Sequence, residues 1–431
     1  MTDLLAARSQ MAMSLAFHIV FAVVGMAMPL LMLMAEGLWL KTGDRLYRTL
    51  AERWAKGAAI MFAVGAVSGT ALSFELGLLW PKFMEHAGPI IGMPFSLEGL
   101  AFFLEATFLG LYFYGWDRIS RTAHFLCGVA VLVSGTASGI LVVCANAWMN
   151  HPTGFDLVNG LPTNIDPLAA MMNPGSFSQA LHMTIAAFQS VGFAVAGIHA
   201  FMLLKEPGNR FHHIALNIAL LVGGVSALIQ PFSGDISARL CARTQPIKLA
   251  AMESHFVTER GAPLIIGGWP DTKTGTVSYA IEIPYGLSLL AFHDPYAEVK
   301  GLNDFPRDEW PPVPIVHVAF QVMVGLGTAM AALAVFCAYR VWRKKGLPLR
   351  LIVLSGPMGL VALEAGWVVT EVGRQPWIVY GWMRTAEAVT PVPYLIVPFT
   401  TFSLVYLGLA LTTLSLLRAH VLRSPHEDEL A

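Results

Sequence analysis

MAMSLAFHIVFAVVGMAMPLLMLMAEGLW, residues 11–39, holds two ionisable side chains, His18 and Glu36, in an otherwise apolar run. About 20 such residues suffice to cross roughly 30 Å of hydrocarbon, so the stretch reads as a membrane span. It is too long for a secretory leader, whose apolar core runs to about 15 residues. Met1 to Gln10 also lack a basic leader region and a small-residue cleavage site. Eight further stretches qualify, at approximately 55–80, 93–115, 124–148, 177–204, 213–231, 314–341, 349–372 and 394–418. The sixth is interrupted or ended by Gly223, Gly224 and Pro231. The expected fold is all-α, a polytopic membrane protein of about nine helices with one long outer loop.

Composition supports that class. Of 431 residues, 55% are hydrophobic and 13% charged, about half the charge of a soluble domain. A net charge of -1 offers no basic field for nucleic acid. Cys127, Cys144, Cys241 and Cys337 lack C-x-x-C or zinc spacing and read as small buried hydrophobes.

Lys and Arg are divided by loop. The first, third, fifth and seventh loops hold fourteen, from Lys41 to Arg350, whereas the second, fourth and eighth hold three, Lys82, Arg374 and Arg384. By the positive-inside rule the N-terminus faces outward and the C-terminus the cytoplasm. The chain then divides into six helices (1–231), an outer loop (232–313) and three helices (314–431). A polar loop of that length is generally functional.

Ionisable side chains in hydrocarbon are costly and mark function. His18, His182, Met323 and Glu371 all fall toward the outer half of their spans. A His and a Met on facing helices are a known axial pair for a low-spin haem, which suits His182 and Met323, although His317 and Met183 are rivals that spacing does not separate. Glu98 and Glu105 are seven apart, hence on one helical face roughly 10 Å apart. Stacked so, they could pass protons inward, and Glu75 on the second span could extend the track. Glu364, Trp367 and Glu371 form one stripe, followed by Gly373-Arg374-Gln375-Pro376-Trp377. Arg374 just past the last turn suits a carboxylate or a haem propionate. In the outer loop, Lys248 and Glu253 lie five apart; a carboxylate base and an orienting cation suit a quinol that sheds two protons with its electrons. Singly, each of these residues also fits core packing, a helix stop or a solvated pair.

Taken in order, Ala16-Phe17-His18, Glu98 through Glu105, Gly115-Trp116-Asp117-Arg118, Ala145-Asn146-Ala147-Trp148-Met149, His182, Lys248 through Glu253, Met323-Val324-Gly325 and Gly366-Trp367 with Glu371-Val372-Gly373-Arg374-Gln375-Pro376-Trp377 resemble subunit I of the cytochrome bd quinol oxidases. The resemblance implies two haems b and one haem d, or a third b-type haem. It implies quinol, ubiquinol or menaquinol, as substrate and O2 as acceptor, in the bacterial inner membrane beside a second large subunit and small single-span ones. On it, His182 and Met323 hold the low-spin haem, His18 and Glu371 one high-spin haem each, and Glu98, Glu105 and Asn146 line the oxygen site and proton route. Arg374 and Trp367 support the haem pair, and Lys248 with Glu253 serve the quinol. Better-known members carry Arg two residues before the axial Met, where this chain has Gln321. The short outer loop resembles a short-loop branch, some of whose members are described as cyanide-insensitive.

The expected mechanism oxidises quinol outside, passes electrons by way of the His182/Met323 haem to the pair, and draws protons for water from the cytoplasm through Glu105, separating charge without a pump. A diheme b-type electron-transfer subunit and a proton-coupled carrier are the alternatives.

Overall fold

In a computed structural model of the chain, residues 1–420 are described. Among them nine helices are long and apolar enough to cross a membrane. The first is Asp3–Thr42, the second Arg45–Leu79, the third Pro81–Gly115, the fourth Arg121–Asn150, the fifth Ser176–Lys205, the sixth Arg210–Thr244, the seventh Val313–Trp342 and the ninth Ile396–His420. The eighth is two segments, Leu349–Ser355 and Met358–Val372, broken at Gly356-Pro357.

Local chemistry sets the ends. Thr2, Asp44, Ser120 and Asn209 cap the first, second, fourth and sixth helices by accepting backbone N–H bonds, as short polar side chains do at helix starts. Gly43, at φ 71°, closes the first helix by donating its N–H to the carbonyl of Trp39, a left-handed conformation that a side chain would strain. The second and third helices are separated by Trp80 alone, so Lys82 belongs to the start of a helix rather than to a loop.

The sixth helix corrects one expected boundary. It runs through Pro231 to Thr244, so the outer loop begins at 245 instead of 232. Membrane helices tolerate proline, and here the turn at the proline is held to the fifth helix, where Gln230 Nε2 donates to the carbonyl of His182 at 3.1 Å. Its extra turns carry Ser233 and Asp235 as part of the helix.

The main core joins the first, second, third, fourth, fifth, sixth and eighth helices around Val23, Leu31, Trp54, Tyr112 and Val191. Fifth and sixth helices touch backbone to backbone: a Cβ on Gly192 would lie 2.5 Å from Cα of Gly223, so only glycine fits this crossing, as is common between membrane helices.

The connections of 151–175, 245–312 and 373–395 gather at one end. Gln245 donates to the carbonyl of Asn150 (2.6 Å) and the N–H of Tyr380 to that of Met149 (2.9 Å). The long connection contains the helix Pro246–Met252 and a hairpin pairing Leu264–Asp271 with Thr276–Ile283. At the opposite end Arg48 pairs with Asp117 (2.7 Å) and Arg210 with Asp44 (2.6 Å).

Candidate functional site: two histidine cradles and a buried polar cluster

His18 projects from the first helix toward Ser68 of the second. Its Nδ1 lies 3.0 Å from the Ser68 hydroxyl, and that hydroxyl donates its own proton to the carbonyl of Val64 at 2.9 Å. With the hydroxyl hydrogen on that carbonyl, or on Gly65 O at 3.1 Å, the serine oxygen accepts from Nδ1–H and Nε2 is the unprotonated nitrogen. His182 repeats this on the next helix pair, with Nδ1 at 3.0 Å from the Ser233 hydroxyl, itself bonded to Gln230 O. Gln230 Nε2 also stands 3.2 Å from both nitrogens of that ring and donates to the carbonyl of His182 at 3.1 Å.

The fifth and seventh helices run parallel, both starting at the loop-rich end. Gln189 meets the Met330 sulfur at 3.7 Å. His182 and Met323 each precede that pair by seven residues, two helical turns, and so stand at one level on facing helices. A Cβ on Gly366 of the eighth helix would come 3.0 Å from the Met323 sulfur, so this glycine gives the thioether its space. Of the rivals, His317 has both ring nitrogens against backbone carbonyls, Met252 O at 2.8 Å and Gly267 O at 2.9 Å, so neither is open to a metal. Met183, like Trp367, packs against the main core.

Glu371 ends the eighth helix between two partners. Its carboxylate accepts from the Asn146 side chain of the fourth helix and from Arg374 Nη2 at 2.7 Å. Arg374 is 3% exposed, yet its Nε and Nη1 find no acceptor among the described residues. Two buried guanidinium donors without partners cost several kcal/mol between them unless an anion fills the gap, a need that a haem propionate would meet. Asn146 leads on through its carbonyl to Asn150 Nδ2 (3.1 Å), and Asn150 Oδ1 accepts from Lys248 Nζ at 3.1 Å. Lys248 also donates to the carbonyl of Thr370 (3.1 Å). The loop lysine thus belongs to the same cluster as Glu371.

Lys248 and Glu253 are both buried, and no ion pair between them is present among the described contacts. Burial pushes the Lys248 ammonium down to about 8, helped by the nearby Arg374 charge, and pushes the Glu253 carboxyl up to about 8. Glu253 Oε2 is buried without a partner, an acceptor held ready inside the loop.

Glu98 accepts from Ser138 at 3.1 Å. Glu105 is 5% exposed and lies in a slot between two glycines: a Cβ on Gly135 would stand 3.0 Å, and one on Gly25 3.1 Å, from its Oε1. Both carboxyls thus face the fourth helix, as their spacing required. Glu75 does not join them. It accepts from Gln10 on the first helix at 3.0 Å, because the second helix turns that face toward the first. Two turns beyond Glu105, His124 joins Glu36 (2.8 Å) and the carbonyl of Tyr112 (2.8 Å) in a buried cluster. The sequence reading missed this cluster, as it missed Ser68, Ser233 and the two slot glycines. Serine and glycine are common in membrane helices for packing alone, and only their positions beside His and Glu distinguish these.

The model of the family "Cytochrome bd terminal oxidase subunit I" matches residues 6–425. The chain belongs to that family. It is 38% identical to a Bacillus subtilis protein named as a cytochrome bd menaquinol oxidase subunit I, over 100% of this chain and 99% of the relative. It is 33% identical to the cytochrome bd ubiquinol oxidase subunit 1 of the same organism, over 91% and 87%. Among solved structures it is similar to the bd oxidase of Geobacillus thermodenitrificans, with a TM-score of 0.93 and 38% identity, covering 98% of this chain and 99% of that one. Membership makes it the haem-carrying subunit of a terminal oxidase and a multi-pass membrane protein. The carrier and diheme alternatives are not favoured.

Gln321, where better-known members have Arg, is occupied structurally. Its Oε1 accepts from Gly267 N–H and its Nε2 donates to Ile265 O, both at 2.9 Å. With His317 one turn before, it fastens the long hairpin to the helix that carries Met323.

Proposed function

We propose that the chain oxidises menaquinol or ubiquinol at the Lys248–Glu253 helix, on the outer face of a bacterial cytoplasmic membrane, and reduces O2 to water. Its N-terminus faces outward, and a second large subunit and small single-span ones accompany it. The observation that carries this reading is the continuous hydrogen-bonded cluster from Lys248 through Asn150 and Asn146 to Glu371 and Arg374, which joins the loop to the end of the eighth helix.

The donor set fits haem: two histidines each resting its Nδ1 on a serine hydroxyl, a methionine level with one of them, a carboxylate, and a buried arginine with two nitrogens lacking acceptors. His182 and Met323 would hold one haem b, and His18 and Glu371 would hold a second haem b and a haem d, or two b-type haems. When bound, these groups supply one-electron transfer and the binding of O2. The remaining work falls to the protein. Lys248 orients a quinol oxygen, and Glu253, with a free buried oxygen, takes its proton. Asn146 and Arg374 fix the Glu371 carboxylate and leave guanidinium N–H groups for a propionate. Glu105, in its slot, holds protons arriving from the cytoplasmic side, where His124 and Glu36 offer the next polar groups, and Glu98 with Ser138 holds them nearer the outer half. Protons are released outside and taken up inside, which separates charge with no pump.

A reduced-minus-oxidised spectrum of the purified oxidase tests the reading. Low-spin b bands together with high-spin b or red d bands are expected, and His182→Ala should erase the low-spin band and quinol oxidation together. A colourless preparation from haem-replete cells would overturn it, and survival of the band in the variant would return His182 to core packing.

A further inference from the structure

The two histidines sit in matching surroundings. Ser14-Leu15-Ala16-Phe17-His18 and Ser178-Gln179-Ala180-Leu181-His182 share a Ser-x-Ala-apolar-His pattern. Each is met from the following helix by a Ser-Gly pair, Ser68-Gly69 for the first and Ser233-Gly234 for the second. In both, the serine hydroxyl lies 3.0 Å from Nδ1 and gives its own hydrogen to a carbonyl one turn back, Val64 O at 2.9 Å or Gln230 O at 2.8 Å. In both, the glycine faces the Cε1 edge of the ring: an added Cβ would stand 2.9 Å from Cε1 of His18 at Gly69, and 3.4 Å from Cε1 of His182 at Gly234.

We propose that Ser68 and Ser233 are positioning residues for the two histidines, each fixing the Nδ1–H tautomer so that Nε2 is presented to iron, with Gly69 and Gly234 clearing the ring edge. The proposal rests on the reading of His18 and His182 as haem ligands. A hydroxyl that gives its hydrogen to a backbone carbonyl accepts from the imidazole, which favours the tautomer with hydrogen on Nδ1; at His182 the Gln230 amide, 3.2 Å from Nε2, is placed to donate to that unprotonated nitrogen when no metal is bound. Ligand histidines generally donate their second nitrogen in this way, which orients the ring and strengthens its donation to the metal. Since both histidines have the same support, it does not distinguish a six-coordinate from a five-coordinate iron. The two sites differ instead in Met323, which stands level with His182. Gln230, over the His182 ring, has no equivalent at His18, where Gly65 occupies the corresponding turn.

The test uses the intact oxidase with its companion subunit. Ser233→Ala should lower haem affinity about tenfold to hundredfold, the usual loss for an outer-shell partner, read as haem bound per complex under dilution. It should also raise the midpoint potential of the low-spin haem, because a weaker donor favours the ferrous state. Ser233→Thr, which keeps the hydroxyl, should restore both. Ser68→Ala should lower the iron–histidine stretching frequency in the resonance Raman spectrum of the reduced enzyme, and Gly69→Ala should lose haem more severely than Gly234→Ala, in keeping with the two clearances.

Unchanged haem content, potential and stretching frequency in both serine variants would overturn the proposal. If Ser233→Ala does not assemble, Ser68→Ala decides by the same Raman reading. Failure of the ligand assignment has a separate signature: His182→Ala would keep the low-spin band, whereas failure of the positioning role alone leaves that band lost in His182→Ala and undisturbed in Ser233→Ala.

Discussion

At the scale of single residues, burial sets the chemistry. Glu253 holds its proton up to about 8 and Lys248 loses its own above about 8, both chiefly through desolvation. A base works ionised, so Glu253 gives a rate that rises with pH toward 8; an orienting cation works protonated, so Lys248 gives one that falls beyond it. Quinol oxidation should therefore follow a bell with its maximum near pH 8, measured by oxygen uptake across that range. Glu253→Gln should remove the rising limb and slow turnover about a hundredfold, and a retained limb would take Glu253 out of the reaction. Glu105 depends on the space beside it. Glu105→Leu should stop turnover while the haem spectrum persists, and Gly135→Val, which drives carbon into the carboxyl slot only 3.0 Å from Oε1, should approach the same phenotype. Normal oxygen consumption in Glu105→Leu would remove it from the proton route. The spacing of Glu98 and Glu105 was readable in sequence, but the glycines of the slot lie on other helices and carry no local mark.

At the scale of elements, the long hairpin is fastened to the seventh helix. Gly267 donates its N–H to Gln321, its carbonyl accepts from His317, and its φ of 68° beside Gly268 at 93° places it in a backbone region suited to glycine. Two side chains one turn apart thereby tie loop position to the helix bearing Met323. Gln321→Ala removes two hydrogen bonds worth about 1 kcal/mol each, so amide exchange over 264–283 should quicken roughly thirtyfold. Hydrogen exchange by mass spectrometry measures it, and unchanged protection would show that His317 alone suffices. The sixth helix is the element that sequence reading cut short. Pro231 looks like a stop in the local sequence, whereas the turn that contains it is fastened to the fifth helix through Gln230 and Ser233, both of which meet His182.

At the scale of the whole molecule, basic residues and long connections occupy opposite ends of one bundle. The surface ion pairs at the basic end, such as Arg48 with Asp117, contribute under about 1 kcal/mol each, so their value is in orientation rather than stability. Cys127, Cys144 and Cys337 are buried and Cys241 is half-buried, so in a Cys241→Ala background introduced cysteines can report topology: Lys273→Cys should react with an impermeant maleimide in intact cells, and Lys41→Cys only after lysis. The reverse pattern would invert the assigned orientation and move quinol oxidation to the cytoplasmic face. The sequence by itself determined the class, nine apolar runs in a solvent that satisfies no backbone, and the identity of most polar candidates, because a charge in hydrocarbon is conspicuous wherever it occurs. Only the tertiary structure decided which of them meet. Glu75 turned to Gln10 rather than to Glu98, His317 spent both nitrogens on carbonyls, and Lys248 joined Glu371 rather than Glu253. Those outcomes depend on helix rotation and crossing, which are fixed by packing between segments hundreds of residues apart and leave no trace in the spacing within any one of them.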